Sequence, residues 1–180
     1  MRSNILFILS VSSLLVAQPT FTAHTIATDA DLARSVFAID VDGDGDMDVL
    51  SASYQDNKIA WYENDGSESF TSHTIATSAT GANSVFAIDV DGDGDVDVLS
   101  ASYKDNKIAW YENDGSESFT EHTITTSTEG ANSVYAVDMD KDGDIDVLSS
   151  SETDDKIAWY ENDGSESFTA HTITTDADWA

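Results

Sequence analysis

A unit of 49 residues that is copied three times constrains this 180-residue chain more than any other feature. Trp61, Trp110 and Trp159 are separated by that step, and four histidines, beginning with His24, keep it as well. The copies cover residues 34–80, 83–129 and 132–178, and a partial copy precedes them at residues 21–33. After its N-terminus the chain is therefore one unit in tandem copies.

Each copy contains four short runs of strand-forming residues. In the middle copy these runs cover residues 84–88, 97–103, 107–111 and 119–124. The sequence Asn-Asp-Gly at 113–115 predicts a tight hairpin turn, because Asp-Gly accepts the positive φ that such a turn needs. Residues 104–106 form the turn between the second and third runs. Four antiparallel strands in 40 to 50 residues are typical of a propeller blade. We therefore predict an all-β chain of three four-stranded β-propeller-type blades, with an extra N-terminal strand at 21–28.

An acidic loop of nine residues lies between the first and second strands of each copy, with Asp at positions 1, 3, 5, 7 and 9. These residues are Asp40, Asp42, Asp44, Asp46 and Asp48 in the first copy, Asp89, Asp91, Asp93, Asp95 and Asp97 in the second, and Asp138, Asp140, Asp142, Asp144 and Asp146 in the third. Five carboxylates in nine residues repel one another unless a cation neutralises them. The pattern therefore predicts one cation site in each copy.

Calcium is the ion that this loop predicts, because it takes six to eight oxygen ligands and the glycine at position 6 lets the chain wrap around it. Magnesium fits less well, since it keeps several of its waters. Position 7 is expected to offer its main-chain carbonyl while its side chain faces solvent. Position 12 is a serine in every copy, so we expect the closing ligand to be the Asp at position 9. The alternative is an acidic, solvated turn without an ion.

The loops DVDGDGDMDVL and DVDGDGDVDVL resemble the calcium-binding blades of FG-GAP repeats, as in integrin α-subunit propellers. Together with IAWYENDGSESFT, they make the unit similar to the bacterial and algal VCBS or FG-GAP-like repeat over nearly all of residues 21–180. The resemblance implies that the five aspartates of each loop hold one Ca²⁺, or about three ions per chain. The Phe-Gly and Gly-Ala-Pro elements that name the family are absent, so the resemblance implies a fold and an ion but no particular ligand.

Three blades are too few for a ring, because closed propellers have four to eight. The strand expected at residues 21–28 also lacks partners of its own, and a bare blade edge invites aggregation. Two hypotheses follow. Either the chain is a piece of a longer array, or it associates with a second copy that completes the propeller.

The charge and the N-terminus indicate where such a chain works. Acidic residues number 35 and basic residues 7, and the net charge of −28 excludes nucleic acid and disfavours an anionic membrane surface. The absence of cysteine excludes disulfides, zinc–thiolate sites and cysteine nucleophiles. A positive start and an apolar run at residues 5–17 predict a signal peptide over residues 1–17, with an uncleaved anchor as the alternative. No second apolar run occurs, so we expect a secreted or cell-surface protein without a membrane span in the mature chain.

Catalysis is not expected, because an active site needs unlike residues at one place and nearly every polar residue occurs in triplicate. The repeated tryptophans are expected in the core and not as sugar-stacking platforms, and the four histidines are not expected to share a metal. The third copy departs from the others at Glu152, which replaces Tyr54 and Tyr103, and at Lys141.

Two functions remain. The first is a calcium-stabilised module that binds an extracellular protein or glycan in adhesion or recognition. The alternative is an accessory or catalytic propeller of a polysaccharide-degrading, lyase-like enzyme.

Overall fold

The structure, a computed structural model, describes residues 20–178 and is all-β over them, with no helix. Blade 1 contains β1 (Ala33–Ile39), β2 (Asp48–Ser53), β3 (Lys58–Asn64) and β4 (Phe70–Ala76). Blade 2 contains β5 (Ala82–Ile88), β6 (Asp97–Ser102), β7 (Lys107–Asn113) and β8 (Phe119–Thr125). Blade 3 contains β9 (Ala131–Val137), β10 (Asp146–Ser151), β11 (Lys156–Asn162) and β12 (Phe168–Thr174). The signal peptide expected over residues 1–17 lies outside the described residues.

Each blade is a separate antiparallel meander whose strands pair in chain order. Strand β5 packs against both β1 and β9, so the first strands of the three blades lie side by side. The fourth strands are the outermost of each sheet. The prediction of four-stranded, propeller-type blades in tandem is therefore confirmed. No helix over residues 20–178 is both long and apolar enough to cross a membrane.

Alternation of side chains along each strand gives every blade two apolar faces. The valine face of blade 2 consists of Val85, Ala87, Val98, Ala109 and Tyr111, and its tryptophan face consists of Leu99, Ala101, Ile108 and Trp110. The names apply equally to the equivalent residues of blades 1 and 3. The tryptophan face of blade 1 packs on the valine face of blade 2, and that of blade 2 packs on the valine face of blade 3. The core of the molecule thus lies between blades.

Trp61 and Trp110 have no exposed surface, which confirms their prediction as core residues, whereas Trp159 is only half-buried. Each indole stacks on the histidine of its own blade, and the ring centroids of Trp61 and His73 are 4.4 Å apart. The Nε2–H of the histidine in turn donates a hydrogen bond to a glutamate on the neighbouring strand, as from His73 to Glu63 Oε2 at 2.8 Å. Blades 2 and 3 repeat this arrangement with His122 and His171.

The prediction of a strand at residues 21–28 is wrong, because residues 20–32 form no strand. In each blade the equivalent segment, such as β4, is held by hydrogen bonds to the third strand of the same sheet. The described residues before β1 include no strand that could serve as that partner. Without a partner the segment cannot satisfy its backbone groups in a sheet, whatever the strand propensity of its residues.

Candidate metal centres

The acidic loops occupy the same place in all three blades, between the first and second strands. The turns within each loop use a left-handed backbone at positions 4 and 6. In the first loop these are Gly43, with φ of 76°, and Gly45, with φ of 97°. The third loop has Lys141 at position 4, and this residue adopts the same left-handed conformation, with φ of 70°. The replacement of glycine in the third copy therefore leaves the path of the loop unchanged.

Positions 1, 3 and 9 of each loop come together. In every blade their carboxylates offer one oxygen each, and these oxygens lie within 4.8 Å of one another. The three groups are Asp40, Asp42 and Asp48; Asp89, Asp91 and Asp97; and Asp138, Asp140 and Asp146. Such an arrangement of hard oxygen donors is suited to a divalent cation of the calcium or magnesium class.

The aspartate at position 9 is completely buried and joins the loop to the rest of its blade. In blade 2, Asp97 Oδ2 accepts the backbone N–H of Val90 at 2.9 Å, and Oδ1 accepts that of Asn113 at 2.8 Å. The equivalent bonds are made by Asp48 and Asp146 in the other blades. Position 9 therefore fixes the loop against the end of the third strand before any ion is considered.

Position 1 organises the turn from inside. Asp89 accepts the backbone N–H of Gly92 at 2.7 Å through Oδ1 and that of Gly94 at 3.0 Å through Oδ2. Asp91 at position 3 accepts the N–H of Asp93 at 3.1 Å. These local bonds hold the carboxylates of positions 1 and 3 on the inner side of the loop, where they meet position 9.

The structure does not bring the carboxylates at positions 5 and 7 into these three-residue groups. Asp93 Oδ1, at position 5, instead accepts the backbone N–H of Asp95 at 2.9 Å. The expectation that the side chain at position 7 faces solvent is wrong, because the carboxylate of Asp95 lies against Gly115 in the following hairpin turn.

The hairpin turn that contains Gly115 is longer than the tight turn expected. The N–H of Asp114 donates to the carbonyl of Ser118 at 3.1 Å across a five-residue loop. The extra length brings the turn up against the acidic loop.

The acidic loops carry an excess of negative charge, which affects the pKa of their carboxyl groups. Burial raises the pKa of the carboxyl at position 3 in all three copies, and repulsion by neighbouring aspartates raises it further, although a backbone N–H opposes both effects. Burial also raises the pKa of Asp97 to about 6. The lysine ion pairs over residues 20–178 all go to acidic groups outside the loops. Among these residues no lysine forms an ion pair with a loop carboxylate, and the oxygen donors fit a bound cation chemically.

A different mixed group lies between blades 2 and 3, where donor atoms of Glu112, His122 and Glu166 fall within 4.8 Å of one another. The histidine is already hydrogen-bonded to Glu112 at 2.7 Å and stacked on Trp110. The histidines of successive blades lie beside separate glutamates, each within its own blade.

An open cleft of about 250 Å³ lies near the starts of the three inner strands, at their opposite ends from the acidic loops. Its lining consists of Arg34, Tyr54, Asn83, Tyr103, Asn132 and Glu152. Tyr54, Tyr103 and Glu152, the equivalent residues at which the third copy departs from the first two, all line this cleft. Sequence reasoning missed the other three residues, although Arg34 stands where the next two copies have asparagine, and that departure could have drawn attention to it.

The guanidinium of Arg34 lies 4.8 Å from the ring centroid of Tyr54, and the ammonium of Lys104 approaches the same ring to 4.4 Å. Asn83 donates through its amide to the carbonyl of Asn132 at 2.9 Å. Lys141, the other departure of the third copy, belongs to an acidic loop and is not part of this lining. The axial cleft, as we call it, therefore combines aromatic, amide and charged groups that differ from blade to blade.

Fold and site together define a propeller-type repeat protein with one acidic loop per blade. The FG-GAP-like repeat model matches the chain three times, over residues 40–100, 89–149 and 138–180. Because these matches span most of the sequence, the chain belongs to the FG-GAP-like repeat family, as its motifs indicate. A comparison with curated proteins finds no match.

Among solved structures, the chain is similar to an Agrocybe aegerita lectin described as specifically recognising non-reducing terminal N-acetylglucosamine. The TM-score is 0.55 at 19% identity, over 81% of this chain and 39% of the lectin chain. The likeness shows the fold alone. The chain spans about two fifths of the length of that lectin.

The contact between Asp95 and Gly115 can be tested with alanine at two glycines of similar backbone conformation. Gly115 has φ of 71° and Gly92 has φ of 79°, but only a Cβ at Gly115 would collide with the carboxylate of Asp95. We expect Gly92→Ala to cost roughly 1–2 kcal/mol of unfolding free energy through its left-handed backbone alone. Gly115→Ala should cost up to about 1 kcal/mol more, because the added Cβ forces the carboxylate of Asp95 to rotate away. Urea denaturation measures both, and equal losses would contradict the contact.

Proposed function

We propose that this chain is a secreted, calcium-binding recognition module that binds an extracellular protein or glycan and catalyses no reaction. The observation that carries the proposal is the convergence of three carboxylates in every blade. Over residues 20–178 none of these carboxylates forms an ion pair with a lysine. Export is the part that rests on the sequence of residues 1–17 alone.

Calcium is the ion proposed for each loop, with about three per chain. The carboxylates at positions 1, 3 and 9 would hold it, and the remaining oxygens would come from position 5, from the position 7 carbonyl or from water. A bound ion would neutralise charge that the fold has forced into a small volume. Its role is therefore to stabilise the blade edges and not to activate a substrate.

The axial cleft is the surface that we propose for the ligand. Aromatic rings such as Tyr54 and Tyr103 stack on apolar faces of sugars or on side chains, while amides and charged groups fix orientation. The combination of residues that lines the cleft differs between copies, unlike the aspartates of the acidic loops, and a single binding place needs such variation. The similarity to a lectin is consistent with a glycan, although at 19% identity it supports the fold and not the ligand.

Binding can be tested on an array of glycans and extracellular matrix proteins, with calcium present. We expect at least one binding partner, and Tyr54→Ala combined with Tyr103→Ala should reduce the affinity by about 5- to 150-fold, which corresponds to the loss of about 1–3 kcal/mol from two stacking contacts. Phe21→Ala is the control, because Phe21 is 93% exposed and lies outside the cleft.

Three results would contradict the proposal. The first is the absence of any partner in the presence of calcium, and the second is a partner whose affinity the tyrosine variant leaves unchanged. Cleavage of a polysaccharide by the purified chain would favour the enzymatic alternative instead.

A further inference from the structure

Two blade faces of the described chain are left without a neighbouring blade. On the valine face of blade 1, Val36 is 70% exposed, whereas its equivalents Val85 and Val134 are each 4% exposed in the interior of the array. On the tryptophan face of blade 3, Trp159 is half-buried, whereas Trp110 is completely buried. Apolar surfaces of this kind on a blade normally bury themselves against another blade.

The chain itself shows what fits each of these faces. Twice within the molecule a tryptophan face packs on a valine face, and both contacts use equivalent residues. The open valine face carries Val36, Val49 and Tyr62, which match Val85, Val98 and Tyr111 of the packed one. The open tryptophan face carries Leu148, Ile157 and Trp159, which match Leu99, Ile108 and Trp110. The two open faces are thus complementary to each other.

A hydrogen bond accompanies each internal contact. The backbone N–H of Val85 donates to Ser35 Oγ of blade 1, and that of Val134 donates to Ser84 Oγ of blade 2, both at 3.3 Å. The next members of this series are Ser133 on blade 3 and the N–H of Val36 on blade 1, which belong to the two open faces. A contact between them would repeat the polar as well as the apolar part of the interface.

We propose that a second copy of this chain docks head to tail, its blade 3 tryptophan face on the blade 1 valine face of the first copy. The same contact made in return would close a ring of two chains and six blades. Six is the only multiple of three within the range of four to eight blades found in closed propellers. A heterologous contact that did not close would instead generate open filaments.

The segment at residues 20–32 competes with this docking. Its side chains and those of the open valine face of blade 1 line a shared cavity of about 310 Å³, which includes Ile26, Val36 and Tyr62. His24 Nδ1 lies 3.3 Å from Glu68 Oε2 of blade 1. The equivalent residues two repeats further along, His122 of blade 2 and Glu166 of blade 3, also lie close together. The segment thus lies near the place of a preceding blade's outer strand, although it forms no strand itself.

The outer strand of blade 3 in a docked second copy would occupy the same place beside blade 1. Residues 21–28 read FTAHTIAT, and β12 with the residue after it reads FTAHTITT, so the two segments differ at a single position. Docking therefore requires the segment of residues 20–32 to move away from blade 1. We expect its presence to weaken the association, and its removal to tighten the dimer.

Sedimentation of the purified full chain with calcium tests the proposal through charged variants of each face. Val36→Asp alters the valine face and Leu148→Asp the tryptophan face, while Thr71→Asp is the control because the threonine at this position is exposed in all three copies. We expect dimers for the full chain and for Thr71→Asp, and monomers for Val36→Asp and Leu148→Asp. A mixture of the two monomeric variants should recover dimers, since one intact contact remains between them. A like-with-like interface cannot produce that recovery.

The contrary outcomes are equally definite. The proposal would be overturned if the full chain and a variant that lacks residues 20–32 both stay monomeric. Dimers that persist in Val36→Asp would overturn it as well. Filaments in place of dimers would overturn the closed six-bladed ring. Because Val36 is mostly exposed, its replacement leaves folding intact, and calcium binding by that variant verifies this.

Discussion

Replacing Asp97 with alanine is expected to cost about 2–6 kcal/mol of unfolding free energy even when no calcium is present. The carboxylate is completely buried and accepts the backbone N–H groups of Val90 and Asn113. Each buried donor left without an acceptor costs roughly 1–3 kcal/mol. Since domains of this kind are stable by only about 5–15 kcal/mol, the loss is a large part of the total. Urea denaturation in excess chelator isolates this contribution from that of the ion.

Asp93→Ala is the matched control for that experiment. Asp93 belongs to the same loop and carries the same charge, but its carboxylate is in an exposed position and accepts a single bond, from the N–H of Asp95. We expect it to cost less than about 1 kcal/mol. If the two variants lose equal stability, the account of position 9 as the group that joins the loop to its blade is contradicted.

Removal of calcium is expected to have the other large effect. Three divalent ions would change the formal net charge from −28 to −22 and relieve repulsion inside each loop. An ion present at about 100 times its Kd stabilises a folded protein by about 2.7 kcal/mol per site. Three such sites give roughly 8 kcal/mol, and a chain of this size gains about 2–4 °C in Tm per kcal/mol. We expect chelation to lower Tm by roughly 15–30 °C, as measured by circular dichroism.

Sodium chloride at matched ionic strength provides the control, because general screening would act on all 35 acidic residues and not on the loops alone. Magnesium at the same concentration should stabilise less than calcium, since it keeps several of its waters. A Tm that responds to sodium as strongly as to calcium would show that the effect is screening and not binding.

The fold could largely be predicted because the repeat states the same pattern three times. The strand runs of the middle copy reappear in the structure with ends moved by one or two residues, and Trp61 and Trp110 lie in the core as expected. The strand at residues 21–28 could not be judged from its own residues. A strand needs a partner, and whether one is available is a property of the whole array and not of the segment.

The acidic loops were predictable in outline and not in detail. Spacing alone places five carboxylates near one another, but only positions 1, 3 and 9 converge. The position of Asp95 depends on the length of the hairpin turn that contains Gly115. The sequence Asn-Asp-Gly does not determine that length. The axial cleft depends on residues such as Arg34 and Glu152, which lie in different copies and meet only when the inner strands pack side by side.

A calorimetric calcium titration of the full chain tests the central claim most directly, with the Asp91→Ala variant titrated in parallel. Asp91 belongs to the converging group of blade 2, but it holds only a local bond to Asp93 and is not needed to join the loop to the blade. The account predicts about three ions for the parent chain and about two for the variant. No binding by a folded parent chain, or an unchanged number of ions in the variant, would contradict it.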